Sequence, residues 1–248
     1  MVRIWYGNAF TIKFERLHTF LPLLNAYELV KFHSLRRKED KHCFLYSHLL
    51  VRLVIVHSLD VEPSAVLLEP SRYGKPVLRT WGASSARFDF NLSHAGEHVL
   101  CAVNDSGSVG VDVERVSDID IDEVARVVCS DAEFKLLVET DSANKIRHFF
   151  RLWTLKEAYL KARGVGLNEA PSSIEFNMNS VIENKPVFIN AEIGREWHAQ
   201  TFDYGSKLVA SMIVQKVGVD SPCFELTNIF PKMFITWCLS FSKQLRTL

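Results

Sequence analysis

The alternation of apolar and polar positions divides the chain into stretches with distinct periods. Val2, Ile4, Tyr6 and then Phe10, Ile12, Phe14 recur at every second position, which predicts one or two strands over residues 1–15. From Leu21 to Leu59 the period lengthens to that of a helix. Pro22 suits the first turn of one helix, and Leu45, Leu49, Arg52, Leu53 and Val56 mark the face of a second. EPSRYGKPVL, Glu69 to Leu78, predicts a turn at Gly74 leading into an extended segment, because Pro76 biases Lys75 away from helix; the turn should expose Lys75, with Arg72 close by. Phe88 to Val103 predicts a hairpin turning at Ala95-Gly96-Glu97. GVDVE, Gly110 to Glu114, predicts a strand with Asp112 and Glu114 on one face and Val111 and Val113 on the other. Ser130 and Glu133 have the spacing of a capping box opening a helix over 131–139. After a break at 141–144 comes a further helix, ended by Gly164 and Gly166. Strand-like pieces follow at 174–178, 186–189, 197–204 and 207–217.

Composition narrows the class more than the function. With 248 residues, 48% apolar and 23% charged, the chain has an ordinary globular make-up. Lys plus Arg equals Asp plus Glu at 29 each, so no global field recommends nucleic acid or a membrane surface, and any anion site must be local. Five scattered cysteines without a C-x-x-C pair point to a reduced, cytoplasmic setting with the thiols in the core. No secretory signal is read at the N-terminus, and no uninterrupted apolar run of membrane-spanning length is read anywhere. G-x-x-x-x-G-K-[ST], G-x-G-x-x-G and H-E-x-x-H are absent, which leaves a P-loop NTPase, a Rossmann dehydrogenase and a zincin without support.

The stretch RLWTLKEAYLKARGVGL, Arg151 to Leu167, poses the chemical problem. At helical spacing Trp153, Lys156, Glu157, Leu160 and Lys161 fall on one stripe, and a stripe so charged calls for something polar opposite it. Read alone, Glu157 and Lys161 are an i,i+4 surface pair, Asp112 and Glu114 the wet side of a half-buried strand, and the basic run Lys31, Arg36, Arg37, Lys38, Lys41 a solvated helix face. Taken in order, Ser93-His94, then GVDVE, then W-T-x-K-E-A-x-x-K, these elements resemble the 4'-phosphopantetheinyl transferase superfamily, in particular its larger type related to the surfactin-synthetase activating enzyme. Trp153, Thr154, Lys156, Glu157, Ala158 and Lys161 match the last motif at every fixed position, and the resemblance covers roughly residues 36–215.

The resemblance implies an α+β fold of two similar halves related by a pseudo-twofold, with the site at their interface. Pairing LSHAGEHVLCAV with FDYGSKLVASMIV as a short internal repeat agrees with that. The expected division is 1–106, 107–218 and a C-terminal extension 219–248, the last a docked helix or else a partner-binding or membrane-surface segment. The implied reaction moves 4'-phosphopantetheine from coenzyme A to a serine of an apo acyl or peptidyl carrier protein with Mg2+, releasing 3',5'-ADP; a non-catalytic coenzyme A or carrier-binding protein is the alternative. Asp112, Glu114 and Glu157 are the implied metal ligands. Glu157, directly or through a water, is the expected base, and Lys161 is expected to neutralise the diphosphate. Lys38, Arg72, Gly74, Lys75, Pro76, Ser93, His94 and Lys161 are the expected coenzyme A contacts, with Lys38 and Arg72 compensating for apolar Cys43 and Phe44. Lys156 is expected to support the helix and Trp153 to anchor it. Arg126 and 145–151 are the expected carrier-docking face, on a monomer with pseudo-dimeric halves.

Overall fold

One strand order is used twice along the chain. The computed structural model describes residues 2–79, 87–216 and 224–245. In the first half β1 (Val2–Asn8) leads through helices to a hairpin of β4 (Asp89–Ala95) and β5 (His98–Asn104). Both β1 and β4 pair antiparallel with β5. In the second half β6 (Val109–Arg115) leads through helices to a hairpin of β7 (Trp197–Tyr204) and β8 (Leu208–Gln215), and again both outer strands pair antiparallel with the last. The orders β4-β5-β1 and β7-β8-β6 therefore correspond. So do the turns, where Gly96 and Gly205 hold φ of 58° and 59°, a left-handed geometry that glycine adopts without strain. Each half also lays one 22-residue helix on its sheet, α3 (Lys38–Leu59) in the first and α6 (Ser142–Arg163) in the second.

The result is four layers. One core lies between α3 and the first sheet, a second between α6 and the second sheet. A third, of Val2, Ile4, Leu100, Val109, Val111, Val113, Met212 and others, fills the space between the sheets. α3 is long and apolar enough to cross a membrane, yet 72% of its most apolar window is buried inside the protein, as befits a core helix. Cys43, Cys101, Cys129 and Cys238 are free and buried, and Cys223 lies outside the described residues.

Where the two halves meet, side chains of β4 replace the strand partner that β6 lacks. Asp89 Oδ2, Asn91 Oδ1 and Ser93 Oγ, two residues apart and so on one face, accept the backbone N–H groups of Val109, Val111 and Val113 at 2.9, 2.9 and 3.4 Å. Lys75 joins this seam, donating from Nζ to Asp89 Oδ2 at 2.7 Å and to the Val109 carbonyl at 3.3 Å. The hairpin turn thus does not expose Lys75, whose side chain is only 12% accessible.

Several elements depart from the periodicity. After β1 the Asn8 side chain accepts from Phe10 N and starts a 3-10 turn, so Phe10, Ile12 and Phe14 are not a strand; Phe14–His18 is a short helix, α1. Pro22 opens only a 3-10 turn, and helix α2 (Ala26–Ser34) begins behind a capping box of Asn25 and Glu28. β2 (Leu67–Pro70) and β3 (Pro76–Arg79) form a small hairpin around Gly74. The acidic stretch before α5 (Asp131–Glu139) holds a helix, α4 (Asp122–Val128), that the pattern concealed. Residues 174–178 and 186–189 reduce to one bridge, Phe176 to Phe188, because Asn177 caps helix α7 (Met178–Ile182). Helix α8 (Ala191–Glu196) precedes β7. Beyond β8, strand β9 (Phe224–Asn228) pairs parallel with β1, and α9 (Pro231–Leu245) returns to α3, stacking Phe234 on Tyr46 at 4.4 Å.

Gly110 sets how closely α6 approaches β6. A Cβ there would lie 1.9 Å from the Ala158 carbonyl oxygen and 2.5 Å from Ala162 N, backbone atoms that cannot step aside. Gly110→Ala is expected to lose about 3 kcal/mol by overpacking, read as a lower midpoint in urea denaturation. Gly205→Ala, with nothing within 4 Å of its Cβ position, should lose about 1 kcal/mol from its positive φ alone.

Candidate active site

The close approach of α6 to β6 puts the charged face of the helix over the polar face of the strand. Asp112, 4% exposed, accepts at Oδ1 from Lys161 Nζ at 2.5 Å and from Ser93 Oγ at 2.8 Å. Lys161 Nζ also donates to Ser93 Oγ at 3.0 Å, so the serine joins both charged groups to the seam. Glu114 accepts at Oε1 from Trp153 Nε1 at 3.3 Å. Glu157, one turn beyond Trp153, lines the same depression. Trp153, Glu157 and Lys161 succeed one another at i, i+4 and i+8 and form the helix wall of the site.

Three carboxylates against one ammonium leave a formal excess of two negative charges. The titration of the two glutamates reflects it. Burial first, then the Asp112 charge, pushes the Glu157 pKa above its ordinary value, with Lys161 opposing. Burial and then Asp112 raise Glu114 in the same way, offset by Trp153 and Lys161. Two oxygens, Asp112 Oδ2 and Glu157 Oε1, are buried without a hydrogen-bond partner among the described residues. Orphaned buried acceptors are rare in folded proteins, and these two fit a hard cation, as does the all-oxygen donor set. As the side chains stand, no three His, Cys, Asp or Glu groups among the described residues are gathered closely enough to hold an ion. The Lys161 ammonium, drawn onto Asp112, offsets part of the negative charge that would attract a cation.

Next to this depression, of about 360 Å3, lies a cavity of about 380 Å3 between α2, α3, the β2–β3 hairpin and β4. Leu92 and His94 line both. The enclosing walls, then the Lys161 charge, push the His94 pKa down, although its ring still reaches solvent. Of the residues expected to contact coenzyme A, Gly74, Pro76 and His94 line the cavity, and Ser93 and Lys161 line the depression. Lys75 serves the seam. Lys38 is held by Glu15 at 2.7 Å on the outer surface, and Arg72 lies over the Tyr73 ring, so neither lines the cavity. Lys31, Glu28, Phe44 and His48 do line it. Of these, Lys31 was visible only as part of a basic run, and His48 carried no signal in the sequence.

The charged stripe of α6 divides. Lys156 is fully buried on an adjacent face of the helix, donating to Glu133 at 2.5 Å and to the carbonyls of Val128 and Pro171 at 2.9 and 3.1 Å. Burial pulls its pKa down while Glu133 holds the charge in place. Glu133 in turn accepts from Ser130 N and Phe176 N. Leu160 sits beside it in the core of the second half. The basic groups expected at a docking face are engaged within the chain. Lys145 pairs with Asp122, Arg147 and Arg151 with Asp203, and Arg126 lies over Phe134.

Two matching α+β halves thus meet at an acidic, lysine-bearing site on their seam, with a cavity beside it. Residues 108–213 match the profile of the 4'-phosphopantetheinyl transferase superfamily, and residues 9–106 that of the 4'-phosphopantetheinyl transferase N-terminal region. The chain belongs to the 4'-phosphopantetheinyl transferase superfamily. It is similar to the 4'-phosphopantetheinyl transferase Sfp of Bacillus subtilis, 30% identical over 154 residues, covering 62% of this chain and 66% of that one. It is 34% identical to gsp of Aneurinibacillus migulanus over 131 residues (52% and 51%), and 33% identical to HetI of a Nostoc species over 154 residues (62% and 65%). The matched stretches thus span from about half to just under two thirds of these relatives' own lengths.

Lys156→Met leaves the Glu133 carboxylate buried without its cation, and is expected to cost about 3 kcal/mol. Pairing it with Glu133→Gln should recover much of that loss. Urea denaturation of the single and double variants reads both values.

Proposed function

We propose that this protein transfers the 4'-phosphopantetheine group of coenzyme A to a serine of an apo acyl or peptidyl carrier protein and releases 3',5'-ADP. The observation that carries the reading is the pair of orphaned carboxylate oxygens, Asp112 Oδ2 and Glu157 Oε1, beside Lys161 on the seam. A coenzyme A or carrier-binding protein without catalysis has no use for three carboxylates of which two already have raised pKa values. We retain the division into 1–106, 107–218 and 219–248, a monomeric state, and a cytoplasmic location as parts of the same proposal.

In this reading Asp112, Glu114 and Glu157 hold Mg2+, which when bound supplies positive charge to the diphosphate. The chain's own residues do the rest. Ser93 fixes the Asp112 carboxylate and the Lys161 ammonium, and Trp153 fixes Glu114. Lys161 releases Asp112 in favour of the diphosphate and neutralises charge on the departing 3',5'-ADP. Glu157, directly or through a water, takes the serine proton. Gly74, Pro76 and His94 border the cavity that receives the nucleotide end.

The intact mass of an apo carrier domain, after incubation with coenzyme A and Mg2+, should rise by one phosphopantetheine and stay unchanged with EDTA. Asp112→Ala and Glu157→Ala should each lower turnover by at least about 100-fold with near-normal unfolding curves. Near-wild-type turnover in both variants would remove the assignment of the site.

Stability without a cation gives a second test. A carboxyl whose folded pKa is raised contributes stability that is present below its unfolded value and lost as pH rises through the folded value. Glu157 is therefore a liability at neutral pH. Glu157→Gln should match or exceed the wild-type unfolding temperature at pH 7 in EDTA, and the difference should vanish below about pH 4, near the ordinary glutamate value. Mg2+ should raise the melting temperature of the wild type more than that of the variant.

A further inference from the structure

We propose that His48 is a specificity-determining residue that reads the phosphate monoester on the nucleoside end of coenzyme A, an inference that rests on the transferase reading above. The cations expected there, Lys38 and Arg72, lie outside the cavity lining; the basic side chains that line it are Lys31, His48 and His94.

His48 is held in a defined state by a buried ionic cluster. Glu28, 3% exposed, accepts at Oε1 from His48 Nδ1 at 2.8 Å and from Arg52 at 2.9 Å, and at Oε2 from Arg52 at 2.5 Å and from Asn25 N at 2.8 Å. Burial opposes its charge, but the hydrogen bonds from His48 and Arg52 pull the Glu28 pKa down to about 2. An ionised carboxylate only accepts, so the His48 nitrogen facing it, Nδ1, carries a proton and Nε2 is the nitrogen left for a ligand. The imidazole stacks on Phe44 with ring centroids 4.0 Å apart, and Lys31 Nζ lies 5.9 Å from the same Phe44 ring. Phe44, apolar where a polar contact was expected, thus spaces two basic groups along one wall.

The charges facing His48 are those of Glu28 and Lys31 on α2, Asp40 and Arg52 on α3, Glu69 on β2 and His94 on β4. Arg52 offsets Glu28, and Arg79 pairs with Glu69 at 2.6 Å. With Nδ1 committed to Glu28, the second N–H of an imidazolium, at Nε2, is a charge-assisted donor for a phosphate oxygen, beside the Lys31 ammonium on the same wall.

The test is calorimetric titration of the protein with coenzyme A and with 3'-dephospho-coenzyme A at pH 7. The wild type should prefer coenzyme A. His48→Gln keeps an N–H donor for Glu28, so the cluster stays paired. It should lose about tenfold of the preference, the size of one charge-assisted hydrogen bond, and keep its affinity for dephospho-coenzyme A within about twofold. A preference undiminished in His48→Gln overturns the proposal, as does a wild type that binds the two nucleotides equally, a measurement that needs no variant. A wild type that binds neither nucleotide removes the transferase reading itself, an outcome distinct from the other two.

Discussion

The two halves are held in one geometry by a seam in which side chains complete a strand's backbone. β6 lies where its N–H groups at Val109, Val111 and Val113 would otherwise be buried and unpaired, at a cost of about 1–3 kcal/mol each. Asp89, Asn91 and Ser93 of β4 supply the acceptors. Because the acceptors repeat with the strand's own period of two, register across the seam is fixed to the residue. A slip by one position would face Phe90 and Leu92 toward the same N–H groups and satisfy none of them. The site depends on this register, since the serine that completes the seam also holds Asp112 and Lys161.

The second constraint is the absence of a side chain at Gly110, with small residues opposite at Ala158 and Ala162. It lets α6 lie against β6 closely enough for Lys161 to reach Asp112 and for Trp153 to reach Glu114. The Gly of GVDVE and the Ala of the W-T-x-K-E-A motif are thus parts of one contact. Meanwhile the Lys156–Glu133 pair ties an adjacent face of α6 to α5 and to the segment before α7. The helix is fixed on two faces, by a buried ion pair on one and by the close strand on the other. A rigid base of this kind suits carboxylates that repel one another.

How much of this was legible in the sequence varies with the range of the interaction responsible. The capping box of Ser130 and Glu133 and the Gly turn at 96 were readable because both are local. The Asn25 and Glu28 box has the same spacing, but Pro22 offered a competing start. The stripe of α6 was readable as polar, yet its division was not. Positions 156 and 160 lie about 100° around the helix from 157 and 161, and only the location of β6 decides which column meets the site. Residues 10–15 had strand alternation but no strand beside them to pair with. His48 carried no usable signal and the turn at Gly74 marked Lys75 as exposed, because the groups that define them, Glu28 and Asp89, lie 20 and 14 positions away in the chain.

The duplicated fold explains why the site is asymmetric although its frame is not. The corresponding long helices α3 and α6 present different faces to their own sheets. α3 is apolar over most of its length and brings Phe44 and His48 to a cavity; α6 brings Trp153, Glu157 and Lys161 to the seam. The corresponding hairpins differ as well. β4 places polar side chains toward the other half, while β7 packs Trp197 and Ala199 into its own core. One half therefore provides a cavity in which Lys31, His48, Tyr27 and Phe44 stand beside Glu28, Asp40 and Glu69, and the other an acidic cluster facing it across the seam, joined at Leu92 and His94. A ligand with an aromatic, phosphate-bearing end and a diphosphate would meet both only by lying along that junction. Neither half alone contains both the cavity and the acidic cluster, and the seam locks the two in register.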